Sequence, residues 1–443
     1  MNVSIMGTGY VGLVTGVCLA EKGFDVVCVD VDQTKVDKIN RGEPPIFERG
    51  LEEMLKRNVG KRLRATLDAR EAVLTSDLTL IGVGTPFDGK TIDLKYVKES
   101  AKTIGTALAD KTSYHVVVVK STVVPGTTDS VVLPILEEAS GKKAGDGFGV
   151  GMNPEFLTEG EAISDFMDPD RIVLGGIDRR TQDALEQLYA PFPEAPRLRT
   201  NNGTAEMIKY ASNAMLATLI SFSNEIANLG AALGGIDTVE VMRGLHLSRY
   251  LSPLDNGKRI EPSVVSFLMA GCGFGGSCLP KDVSALVAYG RANGVPMDML
   301  NSTLAVNSRQ PAEVFRLLGK HFPSLKGKRV SILGLAFRPD TDDMRESPAI
   351  PIVRRLLDEG AVVSAYDPAA AHEAKRVLGD RIRFCHSLKD VLEDAEAVVL
   401  VTRWKEFEQV PQLLAKAAQQ PVFIDGRRML DKSAIARYEG IGL

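Results

Sequence analysis

The sequence has few of the residues that covalent cross-links or metal centres require. Its five cysteines are Cys18, Cys28, Cys272, Cys278 and Cys385, and none forms a C-x-x-C pair. An odd number of widely separated cysteines argues against a disulfide framework and against a zinc site, and is typical of a reducing compartment. The five histidines have no evident carboxylate partner in the sequence. We therefore expect no metal and no chemistry built on histidine.

Long apolar runs and an excess of charge of one sign are also missing. No stretch reaches the roughly 18 consecutive apolar residues that predict a membrane span, and the chain begins directly as a strand without a basic leader segment. The net charge of −4 gives no indication of a nucleic acid or an anionic membrane as partner. With 443 residues, 44% hydrophobic and 25% charged, the composition predicts a cytoplasmic globular protein of two or three domains.

A glycine-rich motif follows the first predicted strand. Asn2–Met6 is a short apolar run, residues 7–12 read Gly-Thr-Gly-Tyr-Val-Gly ahead of an apolar helix, and a second strand over Phe24–Val29 ends in Asp30. A G-x-G-x-x-G motif between strand and helix, with an acid about 20 residues on, is typical of dinucleotide binding. Because Asp30 would accept from ribose hydroxyls and repel an extra phosphate, the pattern favours NAD over NADP.

The same unit recurs near the C-terminus. Arg329–Leu333 is a predicted strand, Ala361–Tyr366 a second one, and Asp367 takes the place of Asp30. The glycine motif is replaced by a longer loop over residues 335–346 with two arginines, which favours a different phosphate ligand. A purely structural repeat is the alternative. We therefore predict an α/β protein with two Rossmann-like doubly wound parallel sheets.

A helical stretch separates the two copies. Thr204 is predicted to cap a long helix that runs to about Leu233, and a second long helix is predicted over Asn301–Leu318, which Pro311 could interrupt. The predicted domains are 1–199 for the dinucleotide, 200–309 as a central helical dimerisation domain, and 310–443 for a second nucleotide. A homodimer is expected.

Cys278 has the most informative surroundings in the chain. It follows Gly275-Gly276 and stands two residues before Pro280, a residue suited to the first turn of a helix. The first amides of that helix and the ammonium of Lys281 would favour a thiolate, which could attack an aldehyde. The alternative is that Cys278 is a small buried apolar residue.

Three further patterns carry possible chemistry. Lys209 and Asn213 are four apart on the long helix and share one face, where they could bind a hydroxyl or stabilise charge on its oxygen. Glu155 and Glu159 lie in an apolar context, which makes them candidates for a raised pKa and an acid–base role. Loops at Thr85 and at residues 120–122 follow strands of the first copy, where ligands of such sheets bind. Solvated surface roles are the alternative for each pattern.

Together these motifs resemble the nucleotide-sugar 6-dehydrogenases, the UDP-glucose and GDP-mannose dehydrogenases. The resemblance covers essentially the whole chain. The matching runs are GTGYVG with Asp30, PIFERGL at Pro45–Leu51, GTP at 84–86, KSTVVPGTT at Lys120–Thr128, NPEFLTEG at 153–160, AEMIKYASNA at 205–214, FGGSCLPKD at 274–282, DTDDMRESPA at 340–349 and DGRR at Asp425–Arg428.

The resemblance implies a four-electron oxidation of a sugar C6 alcohol to a carboxylate with two NAD. It implies Cys278 as the nucleophile that forms a thiohemiacetal and then a thioester, and Glu159 as the group that activates water for hydrolysis. It implies oxyanion stabilisation by Lys209, and it assigns Asn213 and Asp282 to the substrate hydroxyl or an ordered water. Thr122 would belong to the same water and cofactor shell.

The remaining implied site residues divide between cofactor and UDP-sugar. The cofactor set is Gly7, Gly9, Tyr10, Val11, Gly12, Asp30, Lys35, Thr85, Thr122, Glu159, Lys281 and Arg345. The substrate set is Glu155, Phe156, Leu157, Lys209, Asn213, Phe267, Gly271, Gly275, Arg338 and Arg427. Since Arg345 and Arg427 belong to the second copy, the resemblance implies a site that closes between two Rossmann-like domains.

Three positions depart from the family pattern. Arg338 stands where a lysine is usual, Pro262 with Arg259 nearby stands where a cross-subunit arginine is usual, and Arg403 stands where an acid is common. The run Thr402-Arg403-Trp404 and the DGRR run favour the UDP-glucose branch over GDP-mannose, and UDP-N-acetylhexosamine relatives fit less well. A two-electron β-hydroxyacid dehydrogenase and a catalytically silent nucleotide-binding protein are the alternatives from other classes.

Overall fold

Two open sheets that share the same order over six strands organise the chain. The computed structural model describes residues 1–417 and 419–443, and the packing of the chain separates a first unit, Met1–Ser212, from a second, Asn213–Leu443. Each unit contains one parallel Rossmann-like sheet, which confirms the predicted fold class.

The sheet of the first unit has eight strands in the order β3-β2-β1-β4-β5-β6-β7-β8. Every neighbouring pair is parallel except β6 and β7, and the first six strands show the doubly wound order. All residues of β4 and β5 are buried, because helices cover both faces. The strands are β1 (Asn2–Met6), β2 (Asp25–Val29), β3 (Leu63–Thr66), β4 (Leu78–Ile81), β5 (His115–Val119), β6 (Phe148–Met152), β7 (Ile172–Gly176) and β8 (Arg197–Thr200).

Eight helices connect these strands. They are α1 (Tyr10–Glu21), α2 (Gln33–Asn40), α3 (Leu51–Asn58), α4 (Ala69–Thr75), α5 (Lys95–Asp110), α6 (Leu133–Ser140), α7 (Ala162–Met167) and α8 (Arg179–Leu188). A long helix, α9 (Asn202–Leu233), starts in this unit and ends in the second. Asn201 caps it by accepting from the amide of Thr204 at 2.8 Å, so the predicted cap at Thr204 is wrong.

The sheet of the second unit has six strands, all parallel, in the order β13-β12-β11-β14-β15-β16. This order repeats that of the first six strands of the first unit, as the internal repeat predicts. A hairpin of β9 (Leu254–Asp255) and β10 (Lys258–Arg259) precedes it. The other strands are β11 (Arg329–Leu333), β12 (Val362–Tyr366), β13 (Arg383–Phe384), β14 (Ala397–Leu400), β15 (Val422–Asp425) and β16 (Tyr438–Gly440).

The helices of the second unit include the one that follows Cys278. They are α10 (Thr238–His246), α11 (Leu279–Ala292), α12 (Asp298–Arg309), α13 (Ala312–Gly319), α14 (Ala349–Asp358), α15 (Ala371–Leu378), α16 (Leu388–Leu392) and α17 (Val410–Leu414). The break between α12 and α13 at Pro311 confirms the predicted interruption, because proline has no amide to donate to the helix.

Candidate active site

The loop between β1 and α1 has the geometry of a dinucleotide cradle. Gly7 has a φ of +95°, and a Cβ at Gly12 would lie only 2.1 Å from the carbonyl oxygen of Gly7. A Cβ at Gly9 would meet nothing within 4 Å. Gly9, the N-cap residue of α1, has no side chain with which to cap the amides of the first turn, which can therefore face a pyrophosphate. The residues of this loop fit NAD.

Asp30 is held as an ionised acceptor at the end of β2. Its carboxylate accepts from the amide of Thr8 at 2.9 Å, from the Thr8 hydroxyl, and from the amide of Asp32 at 3.1 Å, and Lys35 Nζ lies 3.9 Å away. Burial opposes ionisation, but these donors lower the pKa of Asp30 below its usual value. Lys35, another residue of the predicted cofactor set, thus lies beside Asp30, and Asp30 retains accepting capacity for ribose hydroxyls.

The equivalent acid of the second unit is fully engaged by the protein. Asp367, only 4% exposed, follows β12 as Asp30 follows β2. Five donors surround its carboxylate: the amides of Leu335 (2.7 Å), Ala336 (3.0 Å), Ala369 (2.9 Å) and Ala370 (2.8 Å), and the indole Nε1 of Trp404 (3.1 Å). Asp367 therefore stabilises its own loop and has little capacity left for a ribose.

The loops that follow β4 and β5 are hydrogen-bonded to each other. The hydroxyl of Thr85 donates to the carbonyl oxygen of Thr122 at 2.7 Å, and Ser121 Oγ donates to the carbonyl oxygen of Val83 at 2.6 Å. The loops after β4 and β5 are thereby joined at the edge where ligands of such sheets bind.

Glu155 and Lys209 form a buried ion pair. Lys209 Nζ lies 2.9 Å from Glu155 Oε1, and both side chains are nearly inaccessible. Burial would raise the pKa of Glu155, but Lys209 and the amide of Leu157 hold it below its usual value. The predicted raised pKa is therefore wrong for Glu155. Next to the pair, the guanidinium of Arg171 stacks at 3.8 Å over the ring of Phe156.

Glu159 stands in a loop whose backbone is fixed on both sides. Before it, the amide of Thr158 donates to Asp165 at 2.8 Å; after it, the amide of Gly160 donates to Glu48 at 2.8 Å. Sequence reasoning gave Glu48 no role, although an acid that directly follows the apolar residues Pro45–Phe47 is a signal that could have found it.

Cys278 differs from the other cysteines in its accessibility. It is the N-cap residue of α11, with a proline in the first turn as predicted, and it is partly exposed, whereas the other four cysteines are buried. Burial raises the pKa of Cys18 and of Cys28 to about 12 and that of Cys385 to about 11. A reactive thiolate requires access, and a helix N-terminus is one of the environments that favour it; Cys278 has both.

Asp282, one turn into α11, joins two predicted site residues. Its Oδ2 accepts from Asn213 Nδ2 at 2.6 Å, and its Oδ1 lies 2.6 Å from Lys281 Nζ. Asp282 is buried. The ammonium of Lys281, expected to favour the thiolate, is bound by this carboxylate. Asp282, four residues after Cys278 in the sequence, thereby holds the Asn213 amide of α9 against the first turn of α11.

Arg427 organises the segment that leads to Cys278. It donates to the carbonyl oxygens of Val401 at 2.6 Å and Gly273 at 2.7 Å, and Arg403 in turn donates to the carbonyl oxygen of Arg427. Arg403, unexplained from the sequence, therefore supports Arg427. Asn224 on α9, which sequence reasoning missed, accepts from the amide of Gly271 at 2.8 Å.

The other predicted substrate and cofactor residues of the second unit lie on loops. Phe267 ends a short 3₁₀ turn, Ser263–Phe267, and a Cβ at Gly275 would lie 2.1 Å from the carbonyl oxygen of Glu346, so only glycine fits. Arg338 lies in the loop after β11, and Arg345 forms a fork with the carboxylate of Asp343.

Two basic residues of the second unit bind partners that were not expected from the sequence. His321 has a carboxylate partner, because its Nε2 lies 2.8 Å from Glu439 Oε1, so the prediction that no histidine has one is wrong. Arg259 donates to the carbonyl oxygens of Leu247 at 2.7 Å and Ser252 at 3.0 Å of its own chain.

Within residues 1–417 and 419–443, no helix combines the length and apolarity needed to cross a bilayer.

The doubly wound fold and its glycine loop define the class: a dinucleotide-binding α/β protein. Comparison with known proteins narrows this class. Three models of one family match: its NAD-binding domain over residues 1–193, its central domain over 203–309 and its UDP-binding domain over 331–432. The chain belongs to the UDP-glucose/GDP-mannose dehydrogenase family.

Similar proteins span the full chain. A UDP-glucose 6-dehydrogenase of Haloferax volcanii is 43% identical, covering 100% of both chains, and a GDP-mannose 6-dehydrogenase of Pseudomonas putida is 39% identical, covering 100% of both. Among solved structures, a UDP-glucose dehydrogenase of Pyrobaculum islandicum is 39% identical with a TM-score of 0.90, covering 100% of this chain and 97% of the other.

Proposed function

We propose that this enzyme oxidises the C6 alcohol of UDP-glucose to the carboxylate in two successive oxidations at one site. The observation that carries the proposal is Cys278, the partly exposed cysteine at the start of α11, with Asn213 and Asp282 hydrogen-bonded to each other beside that helix start. A covalent cysteine adduct explains how a reactive aldehyde can be retained between two oxidations. The similarity to named UDP-glucose 6-dehydrogenases supports the choice of substrate.

Each step of the proposed reaction is assigned to particular residues of this chain. When bound, NAD would supply the hydride acceptor for both oxidations at C6. Asn213 and Asp282 hold the C6 hydroxyl, which loses its proton to water, and Lys209 stabilises the negative charge on its oxygen. The Cys278 thiolate adds to the aldehyde carbon, giving a thiohemiacetal that the second oxidation converts to a thioester. Glu159 then takes a proton from water, the new C–O bond forms, the C–S bond breaks and the thiolate leaves.

Two sets of residues are assigned to the binding of the cofactor and of the nucleotide sugar. The cofactor role is assigned to the loop of residues 7–12 with Asp30, Lys35, Thr85 and Thr122, assisted by Lys281 and Arg345. The substrate role is assigned to residues 155–157 with Phe267, Gly271, Gly275, Arg338 and Arg427.

A side-by-side assay tests the proposal. NADH formation is measured with UDP-glucose, GDP-mannose and UDP-N-acetylglucosamine, and the expected result is two NADH per UDP-glucose with little turnover of the others. GDP-mannose is the alternative substrate, since a GDP-mannose 6-dehydrogenase is similar over the full chain. One NADH per substrate would instead indicate a two-electron dehydrogenase, and no turnover with any nucleotide sugar would refute the proposal.

We further propose that the enzyme is a cytoplasmic homodimer that associates through α9. Met215, Phe222, Leu229 and Leu233 are each at least 45% exposed and follow one another at intervals of seven, seven and four residues. This spacing aligns them on one face of the helix, and a second copy can bury the same stripe by two-fold symmetry. The cytoplasmic assignment is supported by five free cysteines, which suit a reducing compartment.

A further inference from the structure

Glu48 is a buried carboxylate that connects the dinucleotide loop to the loop carrying Glu159. It lies just before α3, is 6% exposed, and accepts at both oxygens. Oε2 accepts from the Tyr10 hydroxyl and from the amide of Gly160 at 2.8 Å, and Oε1 accepts from the amide of Ala162 at 3.0 Å. The Tyr10 oxygen also lies 3.0 Å from the amide nitrogen of Gly160. All four residues belong to the first unit.

We propose that Glu48 is a positioning residue that sets Glu159 for thioester hydrolysis and links that setting to the dinucleotide loop through Tyr10. The inference rests on the proposed function, in which Glu159 activates water. Glu48 itself touches none of the reacting atoms in this proposal.

The backbone contacts explain how Glu48 acts on Glu159. Gly160, the next residue, has a φ of +91°, a conformation that glycine adopts readily, so that its amide turns toward Glu48. Glu48 binds that amide, and Asp165 binds the amide of Thr158 on the other side. Two carboxylates thus clamp the residues that flank Glu159, so its side chain starts from a fixed backbone.

Tyr10 explains the link to the cofactor. It is the first residue of α1, so its backbone amide belongs to the set that faces a bound pyrophosphate, while its hydroxyl donates to Glu48. Burial, reinforced by the nearby Glu48 charge, raises the pKa of the Tyr10 hydroxyl, which therefore remains a donor at neutral pH. A shift of α1 on cofactor binding is transmitted through this hydroxyl to Gly160.

Glu48→Gln tests the inference because it keeps the shape but turns one acceptor into a donor that faces other donors. We expect the first-turnover formation of NADH to change less than threefold and steady-state kcat to fall at least tenfold. Intact-mass spectrometry should then show the sugar acid accumulating on Cys278. Tyr10→Phe keeps the ring and removes only the hydroxyl; we expect a smaller fall in kcat and a raised KM for NAD.

A matched control variant and the wild-type enzyme distinguish failure of the positioning role from failure of the proposed function. Glu52→Gln removes a carboxylate that is 55% exposed and paired with Lys56, and should leave both phases unchanged. Equal loss of the first turnover and of kcat in Glu48→Gln, no adduct on Cys278 in that variant, or an unchanged KM for NAD in Tyr10→Phe would overturn the positioning role. Wild-type enzyme that produces no NADH from a nucleotide sugar would instead refute the proposed function, and this inference with it.

Discussion

Lys209 on α9 and Glu155 after β6 form an ion pair with an N–O distance of 2.9 Å, although 54 positions separate them in the sequence. Their side chains are 4% and 5% exposed, so neither charge is solvated by bulk water. A buried charge requires a partner, and the pair fixes the ammonium next to the segment that follows β6. Lys209 therefore neutralises the buried charge of Glu155, in addition to the proposed stabilisation of an oxyanion.

Lys209→Met is expected to destabilise the protein by about 3–5 kcal/mol, because it leaves the Glu155 charge buried without a partner. Urea denaturation provides the measurement. The double variant Lys209→Met with Glu155→Gln should recover part of this loss, although it remains inactive. Lys56→Met, which breaks the exposed Lys56–Glu52 pair, should change stability by less than about 1 kcal/mol. A Lys209 variant no less stable than this control would contradict the prediction.

Cys278 is expected to be the first cysteine that iodoacetamide alkylates in the native enzyme, because the other four thiols are buried. Activity should fall in proportion to labelling, and nucleotide sugar should slow both. Peptide mapping identifies the labelled residue, and the same mapping after unfolding in urea shows all five. Labelling of Cys272 or Cys385 before Cys278 would show that accessibility does not single out Cys278.

Strands and the cofactor loop could be predicted from the sequence because their signals are local. β1 and β11 begin and end at the predicted residues, since each is an apolar run bounded by a polar residue and a glycine. Gly7 and Gly12 are required by a positive φ and by a close approach, both of which the motif encodes. The doubly wound class could be predicted as well, because connections between parallel strands are right-handed.

Partners of buried polar groups could not be predicted in the same way. The pKa of Glu155 depends on Lys209, and the role of Glu48 depends on amides 112 and 114 positions away. The spacing of residues in the sequence predicts neither the Glu155–Lys209 pair nor the contacts of Glu48, because only tertiary packing brings these groups together. The contrast between Asp30 and Asp367 likewise depends on five donors that only the folded second unit assembles.

Asp30→Asn is expected to shift the preference from NAD toward NADP by about tenfold or more, roughly 1.4 kcal/mol, because it removes the charge that repels a 2′-phosphate. The ratio of kcat/KM for the two cofactors measures it. Asp367→Asn is the matched control: it should leave this ratio unchanged and cost about 3 kcal/mol of stability, since an amide cannot accept from all five donors. An unchanged ratio in Asp30→Asn would exclude Asp30 from the ribose site.

Phe222→Glu and Leu229→Glu are expected to convert a dimer to a monomer at micromolar concentration, because each introduces two like charges into a two-fold apolar contact. Sedimentation velocity measures the change. Tyr96→Glu, at an exposed aromatic residue on α5, should leave the oligomeric state unaltered. Wild-type protein that sediments as a monomer would refute association through α9, and dimers that survive both substitutions would place the contact elsewhere.

Lys120 should make stability rise with pH in the alkaline range. Its ammonium is buried, donating to Asn153 Oδ1 at 2.9 Å and to the Tyr189 hydroxyl at 3.3 Å, and burial lowers its pKa to about 8. Between that value and the ordinary value near 10.5, the unfolded chain binds a proton that the folded protein does not, so raising the pH favours folding.

The size of this effect is about 3 kcal/mol when the pH crosses the whole window from 8 to 10.5. The free energy of unfolding, measured in urea for wild type and Lys120→Met, isolates it, because other titrating groups contribute equally to both proteins. We expect the difference, wild type minus variant, to become more positive by an amount of that order from pH 8 upward and to be flat between pH 6 and 7. A difference that stays constant up to pH 10.5 would mean that Lys120 keeps its proton in the folded protein.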